Sequence, residues 1–200
     1  MNNSIVIGIT GGMGCGKSTA AQLIADAGYR LIDSDALIRE RVLTAPEVVA
    51  AVRARLGDEV VDQTGRIDRR SLAARVFDQP AELAWLEELT HPRLFALWRE
   101  ELLRGEVDRW VFEVPLLFEK QLENWFDFTV CVACSPSQQI ARLEQRGIPR
   151  ALAEQRISKQ LPLATKLELS DIVLWNDGSI EFLRMQVDRM MAEISKSRAA

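Results

Sequence analysis

Five short runs of apolar, mostly β-branched or aromatic residues recur along the chain and alternate with segments whose apolar residues lie three to four positions apart. Continuous apolar runs of this length are typical of strands buried on both faces, and the wider spacing is typical of helices. Alternation of the two favours a parallel sheet. We therefore predict an α/β fold with a five-stranded parallel sheet and helices on both faces. The predicted strands are Ser4–Thr10, Tyr29–Ile32, Trp110–Val114, Phe128–Cys134 and Ile172–Trp175.

The interval between the second and third predicted strands is a long helical insertion at about residues 36–105. Because proline interrupts helices, Pro92 after His91 predicts a break between the last two helices of the insertion. A length of 200 residues, 48% of them hydrophobic, predicts a single domain spanning residues 1–200. The predicted helices are Glu47–Leu56, Arg69–Phe77, Pro80–Leu89, Arg93–Leu103 and a C-terminal helix that packs on the sheet through the stripe from Ile180 to Ile194.

Composition excludes several classes of protein. The net charge of −4 offers no basic field for nucleic acid. No apolar run approaches the roughly 18 residues of a membrane span, and the first three residues lack the charge of a signal peptide, so we expect a cytoplasmic protein that does not bind membranes. With His91 as the single histidine, a zinc site lacks ligands, and Cys131 and Cys134 are expected to be buried strand thiols.

A glycine-rich stretch between the first predicted strand and the following helix fills every fixed position of the P-loop pattern. In this pattern, backbone N–H groups and a helix N-terminus hold phosphates. Lys17 is expected to reach the β- and γ-phosphates of a nucleotide, and Ser18 to bind Mg²⁺. Proximity to the helix N-terminus predicts a lowered thiol pKa for Cys15. The predicted phosphate-binding residues are Gly12, Met13, Gly14, Cys15, Gly16, Lys17, Ser18 and Thr19.

Charged residues at two further places fit phosphoryl transfer. Asp33 directly follows the second predicted strand, so it is expected to face the phosphates and to orient or deprotonate the attacking hydroxyl. Asp35 is a second candidate, and helix capping is the structural alternative for both carboxylates. Arg142 and Arg146 lie one helical turn apart in a basic segment, about residues 138–167, whose charges look mostly exposed. Both are expected to clamp phosphate, with the segment acting as a lid.

Together these motifs resemble the dephospho-coenzyme A (dephospho-CoA) kinases, and the resemblance spans essentially the whole chain. It is carried, in order, by the P-loop, Asp33-Ser34-Asp35, His91-Pro92, Pro115-Leu116-Leu117-Phe118-Glu119, Arg142 with Arg146, Arg156 with Gln160, and Asn176-Asp177-Gly178.

The resemblance implies ATP-dependent phosphorylation of the ribose 3′-hydroxyl of dephospho-CoA, a small-molecule substrate, by a monomer or weak homo-oligomer. It also implies a helical substrate-binding insertion and a lid. Glu113 stands where the family frequently has aspartate, which leaves the second protein contact to Mg²⁺ open. The acceptor site is expected to include Asp33, Asp35, His91, Leu117, Phe118 and Glu119. The nucleotide is expected to meet Arg142 at its phosphates and Asn176 and Gly178 near the adenine.

Two other functions stay open at this point. A nucleoside or nucleotide kinase would use the same cradle, lid and carboxylate with a smaller acceptor pocket. An insertion of about 70 residues fits a bulky acceptor better. A nucleotide-switched binding protein would hold the nucleotide to order a partner surface, and it should show no turnover stimulated by an acceptor.

Overall fold

The computed structural model describes residues 4–77, 79–104 and 109–197. Of the sequence predictions, the terminal residues Met1–Asn3 and the last residue of the insertion, Gly105, lie outside the described residues. The chain divides into two compact units, Met1–Asp33 with Val107–Ala200, and Ser34–Glu106. In the part of the chain that is described, no helix is both long and apolar enough to cross a membrane.

The first unit is built on a five-stranded sheet in which every pairing is parallel, with the order β2-β3-β1-β4-β5. Side chains of β1, β3 and β4 are buried almost without interruption. Because successive side chains point to opposite faces of a sheet, both faces are covered. The predicted α/β architecture is confirmed. The strands are β1 (Ile5–Gly11), β2 (Arg30–Asp33), β3 (Arg109–Glu113), β4 (Phe128–Ala133) and β5 (Ile172–Trp175).

The helices of this unit pack on the sheet through apolar faces. Small residues of α1 and the predicted stripe of α9, including Leu183, Val187 and Ile194, form one core with the inward side chains of the strands. Burial of this surface is the main favourable contribution to folding. The helices are α1 (Lys17–Asp26), α6 (Pro136–Gln145), α7 (Arg150–Ser158), α8 (Leu163–Leu169) and α9 (Ile180–Ser197), and a 3₁₀ turn covers Glu123–Trp125.

The second unit is helical and has a core of its own, formed by residues such as Val48, Val52 and Leu72. Its elements are α2 (Ser34–Leu37), a π-helical turn (Ile38–Val42), α3 (Pro46–Leu56), a 3₁₀ turn (Asp58–Val60), α4 (Arg69–Val76) and α5 (Pro80–Leu103).

The predicted break at Pro92 is wrong, because α5 runs through it as one helix. Proline removes one backbone hydrogen bond and disfavours the preceding turn. Burial of Thr90, Leu94 and Trp98 on the two sides of Pro92 outweighs that cost.

Candidate active site

The P-loop joins the central strand β1 to α1. Gly14 and Gly16 have φ of +82° and +93°, a left-handed conformation that favours glycine. A Cβ atom at Gly16 would also collide with the side-chain nitrogen of Asn176. The ammonium of Lys17 folds back over the loop and donates to the carbonyls of Gly12 at 3.0 Å and Gly11 at 3.3 Å. A backbone turned in this way beside a helix N-terminus is suited to hold an anion.

Side chains from two other segments hold the carbonyl side of this loop. Asn176 Nδ2 donates to the carbonyl of Cys15 at 2.8 Å. The guanidinium of Arg142 donates to the carbonyl of Asn176 at 2.7 Å and makes longer bonds, at 3.4 and 3.5 Å, to those of Cys15 and Gly14. Two residues predicted from the sequence as nucleotide ligands therefore contact the phosphate cradle directly.

Gln139 is a third support of the loop, and sequence analysis missed it. Its Nε2 donates to the carbonyl of Met13 at 2.9 Å, and the residue is buried. No local sequence pattern distinguishes a helical glutamine that contacts a loop from one that is exposed to solvent. Gln139 is therefore identified only by the packing of α6 against the P-loop.

Other predicted nucleotide residues lie on the surface. Thr19, Arg146 and Gly178 are exposed, at the start of α1, at the end of α6 and after β5. Between Asn176 and Gly178, the carboxylate of Asp177 accepts the backbone N–H of Ser135 at 2.8 Å. Hydrogen bonding from Ser135 lowers the pKa of Asp177 below its ordinary value. Asp177 thereby holds the start of α6, the helix that carries Arg142.

The carboxylate nearest to the P-loop hydroxyl belongs to Glu113, at the end of β3. Ser18 Oγ donates to Glu113 Oε1 at 2.8 Å, and Glu113 is only 9% exposed. The parallel register places Glu113 beside Ile9 of β1 on one side and beside Asp33 of β2 on the other. Asp33 thus lies at the carboxyl ends of the strands, the same end of the sheet as the P-loop, as expected. However, β3 separates its strand from β1.

Two predicted acceptor residues belong to the second unit. Asp35 is exposed in the first turn of α2, where the helix dipole stabilises a negatively charged side chain. His91 lies in the middle of α5, half-buried, with its ring 5.8 Å from the ring of Phe95.

The remaining predicted acceptor residues follow β3 in Pro115–Glu119, which we name the acceptor segment. Leu117 is completely buried, whereas Phe118 and Glu119 are half-buried. Glu119 Oε1 lies 2.8 Å from the ammonium of Lys166. The expectation that the charge of Lys166 is exposed is wrong, because this side chain is completely buried against its partners.

The thiol of Cys15 faces that of Cys134, with the two sulfur atoms 3.5 Å apart. The hydrogen bond from Cys134 is the main cause that lowers the pKa of Cys15 to about 7, against the effect of burial, and the charge of Lys17 adds to it. The same contact raises the pKa of Cys134. Cys131 is buried as predicted, and burial raises its pKa to about 11. The lowered pKa of Cys15 is confirmed, with a different main cause.

A P-loop follows the central strand β1 of a parallel sheet, with Glu113 at the end of the adjacent strand β3 and Asp33 at the end of β2, the next strand along. This arrangement is that of a P-loop kinase. The family model for dephospho-CoA kinase (CoaE) matches residues 5–181. Dephospho-CoA kinase from Thermosynechococcus vestitus is 38% identical over 198 residues, which are 98% of this chain and 98% of that protein. The chain belongs to the dephospho-CoA kinase family.

Solved structures share the fold. The crystal structure of TT1252 from Thermus thermophilus is 39% identical and superposes with a TM-score of 0.83, over 95% of this chain and 97% of that one. Dephospho-CoA kinase from Campylobacter jejuni, 24% identical, shares the fold with a TM-score of 0.64 over 97% of this chain and 99% of that one.

Proposed function

We propose that the protein transfers the γ-phosphoryl group of ATP to the ribose 3′-hydroxyl of dephospho-CoA, which gives coenzyme A and ADP. The observation that carries the proposal is the P-loop, in which Ser18 is bound to Glu113 and Arg142 is bound to the loop carbonyls. Membership of the family supports dephospho-CoA as the acceptor over a nucleoside or a nucleotide. Family membership also favours turnover over a nucleotide-switched binding role.

Phosphoryl transfer requires charge stabilisation and an oriented hydroxyl more than covalent chemistry. The ammonium of Lys17 would move from the loop carbonyls to the phosphates and stabilise negative charge there. Arg142 would hold the loop and, with Arg146, contact phosphate. Asp33 would accept the proton of the attacking 3′-hydroxyl, which its place at the carboxyl end of β2 supports.

The oxygens at the end of the P-loop suit Mg²⁺. This ion prefers oxygen ligands and is commonly held by one or two protein groups together with substrate phosphates and water. Ser18 and Glu113 supply a hydroxyl and a carboxylate 2.8 Å apart, and among the described residues no cluster of three or more His, Cys, Asp and Glu could hold a metal. When bound, Mg²⁺ would neutralise charge on the β- and γ-phosphates. We propose that Ser18 binds it and that Glu113 orients Ser18.

We propose that the lid is the part of the predicted segment 138–167 that lies between residues hydrogen-bonded to the rest of the first unit. Arg142 in α6 is bound to the P-loop carbonyls, and Leu161 donates to Glu119 at 2.9 Å. Because α6 ends at Gln145, the segment that closes is 146–160. Limited proteolysis should show protection of this segment when ATP and dephospho-CoA are both present. Equal cleavage with and without ligands would contradict the proposed lid.

For the acceptor, we propose that Phe118 contacts dephospho-CoA, with Leu117 and Glu119 holding the segment beneath it, because Leu117 is buried and Glu119 is paired. Asp35 and His91 are proposed as further acceptor-binding residues, as the family resemblance implies. The cytoplasmic location and the monomeric or weakly oligomeric state stay predictions, the second of which gel filtration would test.

The decisive experiment measures ADP release by the purified protein with ATP, Mg²⁺ and a panel of acceptors. We expect stimulation by dephospho-CoA, with coenzyme A as the product. Stimulation by a nucleoside but not by dephospho-CoA would refute the substrate, and ADP release that no acceptor changes would refute the kinase function.

A further inference from the structure

Lys166 of α8 is completely buried, although lysine is among the residues least often buried. Its ammonium lies 2.8 Å from Glu119 Oε1 and donates to the carbonyl of Pro115 at 2.9 Å. A buried charge is tolerated when it is paired and hydrogen-bonded, and both conditions are met here. The two partners are the first and last residues of the acceptor segment.

Each partner makes a second contact to another part of the unit. The carbonyl of Pro115 also accepts the hydroxyl of Thr10 at 3.1 Å, and Thr10 lies in β1 immediately before the P-loop glycines. Glu119 Oε1 also accepts the backbone N–H of Leu161 at 2.9 Å, just ahead of α8. Lys166 therefore stands where the strand leading to the phosphate cradle, the acceptor segment and the end of the proposed lid meet.

The charge of Glu119 depends on this arrangement. Its second oxygen, Oε2, is buried and has no hydrogen-bond partner among the residues that the structure describes. The negative charge of the Glu119 carboxylate is therefore compensated by the Lys166 ammonium and the Leu161 N–H. A buried ion pair of this kind is weak evidence for a purely stabilising role, because the loss of hydration offsets much of the attraction.

We propose that Lys166 is a positioning residue for the phosphoryl acceptor, which holds the acceptor segment at a fixed distance from the phosphate cradle. The proposal rests on the proposed function, because that function makes Pro115–Glu119 part of the acceptor site. Transfer between two bound substrates is sensitive to such spacing. A displacement of about 1 Å costs on the order of 10²-fold in rate.

Two variants test the proposal. Lys166→Met removes the ammonium and leaves the Glu119 carboxylate buried without it. The double variant Lys166→Met/Glu119→Gln removes both charges and keeps an oxygen for the N–H of Leu161, so it avoids an unpaired buried charge. Lys196→Met, on the exposed surface of α9, is the matched control. In both test variants we expect kcat/KM for dephospho-CoA to fall on the order of 10²-fold. The Kd for ATP alone, measured by calorimetry, should stay at the wild-type value.

Hydrogen exchange of the protein without ligands gives a readout that is independent of activity. The amides of Lys120, Gln121 and Leu122 donate to carbonyls within the acceptor segment at 3.0–3.1 Å. They should exchange faster in the double variant, while amides of α9 should exchange at the wild-type rate. If the wild-type protein does not phosphorylate dephospho-CoA, the proposed function is refuted. The hydrogen exchange of these three amides then still tests whether Lys166 holds the acceptor segment in place.

Several results would overturn the proposal. Wild-type kinetics in the double variant, an equal loss of affinity for ATP, or unchanged exchange of the three amides would each show that Lys166 does not position the acceptor segment. If the single variant fails to fold, the double variant decides. Failure of both to fold would assign Lys166 to the stability of the whole unit.

Discussion

The Glu113→Gln substitution isolates one carboxylate charge at the P-loop, because glutamine keeps the length and an oxygen that can accept the hydroxyl of Ser18. That hydroxyl lies 2.8 Å from the nearly buried carboxylate. A hydrogen bond to a charged group contributes about 1.5–3 kcal/mol, and about 1.4 kcal/mol corresponds to a factor of ten. We therefore expect the Mg²⁺ concentration for half-maximal activity to rise by about 10- to 10²-fold, the range found for residues that orient metal ligands.

The assay is ADP release at fixed ATP and dephospho-CoA, with Mg²⁺ titrated. Saturating Mg²⁺ should restore part of the wild-type kcat, because Ser18 is still present. Glu123→Gln, at an exposed carboxylate shortly after the acceptor segment, is the control and should titrate like the wild type. If Glu113→Gln also shows the wild-type Mg²⁺ curve, whatever its melting temperature, Glu113 contributes to packing and not to the metal site.

Four further predictions follow from the same site. Lys17→Ala should lower kcat/KM on the order of 10²-fold or more by removing charge stabilisation, and near-normal ADP release would contradict its role. Arg142→Ala should weaken ATP binding in calorimetry and also lower the melting temperature, because its guanidinium holds the P-loop carbonyls. Asp33→Asn should lower kcat on the order of 10²- to 10⁴-fold with a smaller effect on the KM for ATP. A normal kcat with a lower melting temperature would instead indicate helix capping. The pKa of Cys15 near 7 predicts a rise in thiolate absorbance around that pH, which should move toward the ordinary 9.0 in Cys134→Ala. Because this pKa is lowered, its contribution to stability is present above pH 9 and is lost as the pH falls from about 9 to about 7.

The sheet and the P-loop could be predicted because their causes are local. A strand buried on both faces needs a continuous apolar run, and the phosphate cradle needs glycines at fixed spacing before a helix. The order of strands has no such local cause. Sequence analysis predicts Asp33 at the end of the second strand, but only the structure shows that the crossover after the helical unit places β3 between β2 and β1. Glu113 therefore occupies the position next to the P-loop hydroxyl.

The break predicted at Pro92 was wrong for a related reason. The local rule is physically sound, since the proline removes a hydrogen bond from the helix. Burial of Trp98 and Leu94 on one side of Pro92 and of Thr90 on the other makes the continuous helix the better solution. A rule about one residue cannot predict this, because the compensating contacts come from the packed core of the unit.

Long-range pairs decide the chemistry of groups whose local surroundings are misleading. Lys166 lies in a basic segment whose sequence is typical of a solvent-exposed surface. Its ammonium is nevertheless buried in the first unit, where it pairs with Glu119 and donates to the Pro115 carbonyl. Cys15 illustrates the converse case. The direction of its pKa shift was predicted from the helix N-terminus, but the main cause is the thiol of Cys134, 119 residues away. A correct direction does not establish its cause, and Cys134→Ala separates the two causes because it leaves the helix N-terminus intact.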